Sequence, residues 1–417
     1  MRKSKCTLIV CLLLIAAISL NLTACVAKVH AADLMDGIKP NTQTGSVRKP
    51  DEARQAAAAD FALRLFRAAN ESGKSTLISP LSVLSALSMT ANGAKDETLG
   101  QMEKTLGMTQ AELNEYFLSY RKLLEDGKSL RLANSIWFRD GFAVNRDFLQ
   151  TNADCYGADA YQAPFDNSTL KDINNWVNDK TDGMIPEILD ELSKDTVMCL
   201  VNALAFDCKW QEEYEEDDIR SGEFTCADGS KRTVDFLHSG ESEYLETAYA
   251  TGFLRPYKDS RYAFAALLPN QGVSLEQLLA DLDGGALRDL LENPKWEPVS
   301  VSLPKFETSY DTELSQVLKG MGMELPFSEQ ADFSGLGGTA GDGVHISRVL
   351  HKTFLSVDET GTKAAAATAV VMEKAAAPVD LSCHLVNLDR PFLYMVIDRE
   401  TNLPLFIGTM LDPTLGA

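Results

Sequence analysis

The chain has 417 residues, 45% hydrophobic and 24% charged, enough to bury a large core and too apolar to stay unfolded. Its net charge is −21, and because Arg2, Lys3 and Lys5 are the only charges in the first 24 residues, the remainder carries −24. Acidity of that size repels phosphate backbones and anionic lipid surfaces, which sets nucleic acid aside as a partner.

Residues 1–24 read as a targeting segment. Arg2-Lys3-Ser4-Lys5 is a cationic start, Cys6 to Leu20 is mostly apolar, and Leu22-Thr23-Ala24-Cys25 follows where cleavage is expected. The apolar run is short for a spanning helix. Leu22 to Cys25 resembles the bacterial lipoprotein box, whose cysteine is lipidated and becomes the mature N-terminus. That resemblance implies export and a membrane anchor of acyl chains on Cys25; the alternative is an ordinary secretory signal. From Cys25 to Pro50 the chain is small and polar without sustained period, a flexible tether with a root-mean-square reach of roughly 30 Å that lifts the domain off the membrane.

Asp51 to Ala69 places Phe61, Leu65 and Phe66 at helical spacing. Thr76 to Ile78 make a short strand, and Ser79-Pro80 put a capping hydroxyl before a proline at the first position of a helix apolar nearly all round. Leu130 to Phe138 and Thr196 to Phe206 are long, apolar and free of proline and glycine, as central strands are. Ile173 to Leu189 between them predicts an amphipathic helix. From Phe224 onward strands dominate: Thr233 to Leu237, Ala248 to Tyr257, Tyr262 to Leu268 and Val299 to Phe306. Helical stretches at Ser274 to Leu282 and Asp311 to Met321 interrupt them, and Phe392 to Ile397 with Leu405 to Met410 form a closing hairpin. A helix-rich first half and a strand-rich second half without βαβ alternation make a mixed α+β fold.

Five cysteines remain outside the signal and lipobox: Cys155, Cys199, Cys208, Cys226 and Cys383. Their number is odd and no Cys/His spacing suits a metal. On one continuous strand Cys199 and Cys208 face opposite sides, so they read as unpaired, inert thiols. Gly335 to Gly343 lacks the Gly-Lys-Ser/Thr ending of a phosphate loop and reads as a surface loop. No cofactor is indicated.

The unusual segment is Val357 to Cys383, in which Asp358-Glu359-Thr360-Gly361-Thr362-Lys363 leads into four alanines, Thr368-Ala369 and Val370-Val371-Met372. Alanine favours helix, the Val pair favours strand, and nothing in it can anchor a core. These stretches, with Val201-Asn202-Ala203 through Trp210, Leu303 to Thr308, Ala331 to Ser334, Val349-Leu350-His351-Lys352, Asp389 to Phe392 and Pro404 to Gly408, resemble the serpin family over Asp51 to Pro413 and in the family's order.

The resemblance implies three sheets, about nine helices and an exposed reactive loop, residues 358–383, within one domain over 51–417. It implies a suicide mechanism: a serine protease cleaves the loop, forms an acyl-enzyme, and is trapped when the loop inserts as a strand in the large sheet. Alternate residues of an inserted strand face the core. Beyond the hinge at Glu359 and Gly361, one parity is Thr362, Ala364, Ala366, Thr368, Val370 and Met372, with no charge; the other carries Lys363 and Glu373 outward. A buried unpaired charge would oppose insertion by several kcal/mol. The alternatives are a solvated alanine linker and a non-inhibitory binding serpin.

Family spacing puts the scissile bond between Ala375 and Ala376, which suits an elastase-like pocket, with Lys374 as the rival for a trypsin-like enzyme. The loop runs about five residues longer beyond that bond than in well-known members. Ser79, Ser82, Asn202 and His351 match the family's polar cluster beneath the opening strands, and Trp210 the tryptophan where the loop enters. A hydrolase built on His351 is disfavoured, because no GxSxG elbow is present. A monomer is expected.

Overall fold

The computed structural model describes residues 29–41, 49–71, 73–124, 129–192, 196–338, 344–362 and 383–415. Strand β1 (Ala32–Asp33) precedes helix α1 (Glu52–Ala69), β2 (Thr76–Ile78), and the helices α2 (Pro80–Ala91), α3 (Asp96–Leu106) and α4 (Gln110–Leu124). There follow β3 (Leu130–Arg139), α5 (Arg146–Tyr156), β4 (Asp159–Ala163), α6 (Asn167–Lys180), β5 (Met198–Phe206) and β6 (Cys208–Lys209). The second half holds β7 (Ile219–Thr225), β8 (Lys231–Glu246), β9 (Ala250–Pro256), β10 (Tyr262–Pro269), α7 (Leu275–Asp281), α8 (Gly284–Glu292), β11 (Lys295–Pro304), β12 (Phe306–Glu313) and α9 (Ser315–Gly320). It closes with β13 (Leu350–Val357), β14 (Gly361–Thr362), β15 (His384–Asn387), β16 (Phe392–Asp398) and β17 (Leu403–Met410).

Local chemistry sets the helix ends. Asp51 caps α1 by accepting from the Arg54 N–H, and the Ser79 hydroxyl accepts from Ser82 N–H at the start of α2, where Pro80 gives up no needed donor. Helix α2 is buried on nearly every side because it lies in the middle of the molecule, between β5, β17 and other helices.

The strands form three sheets. One has the order β1-β4-β3-β5; a second runs β15-β11-β8-β9-β10-β16-β17-β2, with β7 on β8; the third is β12-β13-β14-β6. Only Asp207 separates β5 from β6, so the first and third sheets share one continuous stretch of chain. The main core lies between the sheets and the helices α1 to α5, and a smaller one of Trp137, Phe165, Ile173, Trp176 and Val201 sits under α6.

Several expectations need correction. The predicted helix Ile173 to Leu189 is instead α6, which ends at Lys180, because Asp182 and Gly183 take left-handed φ of 51° and 80°. Asp311 to Glu313 is strand, held in register against Lys352 to Leu350, and only Ser315 to Gly320 is helical. Four helices, α3, α4, α5 and α8, were not anticipated. Leu336, within the supposed surface loop, is fully buried.

The tether is the largest departure. Residues 29–41 are laid along the body: β1 pairs with β4, Leu34 N–H donates to Ala160 O at 2.9 Å, and Ile38 is buried. Asp172, itself buried in α6, accepts from the backbone N–H groups of His30 and Ala31 at 2.9 and 3.0 Å. A polar, aperiodic segment docks here chiefly because its backbone makes the bonds, to which the His30 ring adds a contact with Asp172 Oδ1 at 3.2 Å.

Candidate functional site

The site is a slot between two strands. Strand β5 pairs with β3 on one side and β13 with β12, yet among the described residues no ladder joins β5 to β13. At the top β14 bridges them, Thr362 lying opposite Val357 of β13 and Cys208 of β6. Because β14 is antiparallel to both neighbours, they are parallel to each other, and the space between them takes one strand. At the foot the slot opens into a cleft lined by Ile188, Leu192, Met198, Leu200, Arg348 and Leu350.

The apex is closely held. Asp358 Oδ1 accepts from Thr360 N–H, the Thr360 hydroxyl and Gly361 N–H at 2.7, 2.7 and 3.1 Å, which turns the chain back on itself. Trp210 donates its backbone N–H to Thr360 O at 3.0 Å and its indole N–H to Asp358 O at 2.8 Å, while Tyr214 N–H reaches Glu359 O at 2.9 Å. The Thr362 hydroxyl pairs with that of Tyr257, whose ring stacks on Trp210 at 4.6 Å. Gly361 is required by close approach: a Cβ there would lie 2.3 Å from Cys208 O. Burial is the largest single influence on Glu359 and opposes its charge, but the hydrogen bond from Lys305 at 2.5 Å, a backbone hydrogen bond and the Lys305 charge together outweigh it and lower the carboxyl pKa.

Under the middle of the slot, the start of α2 ties both edges together. Ser79 N–H donates to His351 Nε2 of β13 at 3.0 Å, so that nitrogen is unprotonated, and burial pushes the imidazole down to about 4. The Ser82 hydroxyl donates to Asn202 of β5, Asn202 donates to Asn134, and Asn134 donates to Tyr156 O at 3.0 Å. Each edge is thus anchored to the same helix end by a hydrogen bond that can be exchanged.

A family profile described as Serpin (serine protease inhibitor) matches residues 56–413. The chain is a serpin. It is 30% identical over 366 residues to an uncharacterized serpin-like protein of Thermococcus kodakarensis, covering 85% of each chain. The structure resembles native tengpin, a thermophilic serpin, with a TM-score of 0.85 and 44% identity over 92% of this chain and 99% of that one; against latent tengpin the TM-score is 0.78. Thyroxine-binding globulin complexed with thyroxine gives a TM-score of 0.75 at 26% identity, covering 86% of this chain and 99% of that one. The mixed α+β serpin fold with its three sheets is therefore established, and serpins are protease inhibitors rather than catalysts.

In this serpin Ser79 meets His351, Ser82 meets Asn202, and Trp210 bonds the hinge turn at Asp358 and Thr360, while Glu359 is bonded by Tyr214, Gly361 lies opposite Lys209 and Thr362 opposite Cys208. Cys25, Lys363, Ala364, Ala366, Thr368, Val370, Met372, Lys374, Ala375 and Ala376 lie outside the described residues. Asn134, Tyr257, Tyr214 and Lys305 were missed, although Asn134, a polar residue in an apolar strand, was a visible signal. The five cysteines are unpaired, and burial pushes the Cys155 thiol up to about 11 and Cys199 up to about 12.

Proposed function

We propose that this serpin is a suicide inhibitor of serine proteases whose cleaved loop fills the slot between β5 and β13. The register at Thr362 carries the reading. On insertion, each further loop residue would fall one position earlier on both neighbours, setting Ala364 between Phe206 and Leu355 and Ala366 between Leu204 and Thr353. Thr368 falls between Asn202 and His351, the polar pair under the slot, and Val370 and Met372 fall beside Leu200 and Met198 at the cleft. Small residues thus meet large flanks, the polar residue meets polar flanks, and the larger side chains reach the roomy end. In the inserted strand Lys363 and Glu373 would point outward, Lys363 beside Asp207.

Cleavage between Ala375 and Ala376 by an elastase-like enzyme follows from family spacing, with Lys374 the rival primary residue. The protein is exported and held at a membrane by acyl chains on Cys25, and it acts as a monomer. The test is a gel: incubation with elastase gives an SDS-resistant covalent complex, and mass spectrometry finds the released peptide beginning at Ala376. A peptide beginning at Ala375 would assign the cut to Lys374. Clean cleavage without any complex would favour the second reading, a non-inhibitory binding serpin, for which the likeness to thyroxine-binding globulin speaks.

A further inference from the structure

Behind the hinge lies a buried ion pair. Arg255 of β9 and Glu241 of β8 are bonded side chain to side chain, each only 7% exposed. The guanidinium sits 4.0 Å from the ring centroid of Tyr214 and 5.1 Å from that of Trp210, and it donates to Glu212 O at 2.5 Å. Glu241 also accepts from the Ser239 hydroxyl at 2.6 Å. Two residues that grip the hinge, Trp210 and Tyr214, are therefore held by one buried cation that carries its own counter-ion.

This arrangement has a direction. Trp210 and Tyr214 bond the carbonyls of Asp358, Glu359 and Thr360, three successive residues of the turn that leads into β14. That turn is the one a strand inserted beside β13 needs, so holding it formed before cleavage removes the slow first step of strand addition. Arginine suits the task because its flat cation lies against two rings and bonds a carboxylate and a carbonyl at once.

We propose that Arg255 and Glu241 are positioning residues for loop insertion, acting through Trp210 and Tyr214 to keep the Asp358 to Gly361 turn formed. The proposal rests on the inhibitory reading above. In such a reaction the acyl-enzyme either is trapped or hydrolyses, and a looser turn shifts the outcome towards hydrolysis without altering the attack on the loop.

Two measurements on the whole protein test it. With elastase as probe, Arg255→Met should raise the number of inhibitor molecules consumed per trapped protease about 5-fold, with the rate of loop cleavage unchanged; Arg255→Lys should recover part of the loss. By hydrogen exchange without protease, the amides of Thr360 to Thr362 should exchange at least about 10-fold faster in Arg255→Met and Glu241→Gln than in wild type, while amides of β10 and β16 do not change. Exchange unchanged at the turn overturns the proposal, and so does an unchanged stoichiometry. Should Arg255→Met misfold, Glu241→Gln carries both readouts. Wild type that forms no complex would refute the inhibitory reading, and with it insertion as the purpose of the pair; faster exchange would then show only that the turn is clamped.

Discussion

At the apex of the slot Gly361 and Thr362 are paired on both sides and enclosed by Trp210, Tyr214 and Tyr257, whereas at the foot Met198, Leu200 and Leu350 line an open cleft. Strand β13 bounds both ends on one side, and on the other β5 at the foot runs through Asp207 into β6 at the apex. What differs is that the first residues of the added strand are already in place above, while below, among the described residues, no strand lies beside the outer edge of β5. An unpaired edge next to a partly formed strand is a template awaiting its partner. Starting and continuing the insertion are thus separate physical problems, handled by different residues.

Substitutions can break either part. Thr362→Arg places a long cation where the side chain is now 1% exposed against Tyr257, so it should disturb the resting apex and abolish the covalent complex while leaving the loop cleavable. Ala366→Asp should leave the uncleaved protein's urea midpoint unchanged and still prevent trapping, because its charge meets Leu204 and Thr353 only after insertion, a penalty of several kcal/mol. If Ala366→Asp traps normally, the register argument fails. Both are read on the same gel.

The middle of the slot should respond to pH. The His351 pKa is depressed from the ordinary imidazole value of 6.5 to about 4, so over that window the unfolded chain binds a proton that the folded chain does not. Stability is complete above about 6.5, falls as pH drops towards 4, and changes no further below that through this group, the loss being about 3 kcal/mol at most. Urea midpoints from pH 7.5 to 4 should show the decline, and His351→Gln should flatten it.

Asn202→Leu removes a group that both accepts from Ser82 and donates to Asn134, leaving polar neighbours unsatisfied, and should cost about 1–3 kcal/mol in denaturant unfolding. Glu359→Gln has the smallest expected effect. Its ion pair with Lys305 is about one-third exposed on both sides, so a loss below about 1 kcal/mol is expected.

The fold was legible because its signals are local, and the hinge reading rests on signals just as local. Ser79-Pro80 announced a cap, the long apolar runs announced β3 and β5, and the alternation from Thr362 to Met372 needs only a count of two. The apex was not legible because its contacts join residues far apart in the chain: Arg255 meets Tyr214, and Tyr257 meets Thr362, with nothing in either neighbourhood to mark the partner. Thr360 shows the gain from seeing both. In sequence it is one more residue of the run from Asp358 to Lys363, and in the fold its hydroxyl closes the turn on Asp358.

Under the proposed acyl anchor on Cys25, the docked N-terminal segment would set how the protein sits relative to a membrane. With Val29 to Asn41 fastened along β4 and α6, only the links from Cys25 to Val29 stay unaccounted for, and four Cα–Cα steps span at most about 15 Å. The proposed acyl anchor would then act as a short leash that holds the α6 side of the molecule close to the lipid headgroups, so the protein would keep a preferred tilt instead of swinging freely. Energy transfer from a dye on α6 to a lipid-phase acceptor should be strong in the acylated protein, and a Gly/Ser insertion after Ala27 should abolish it.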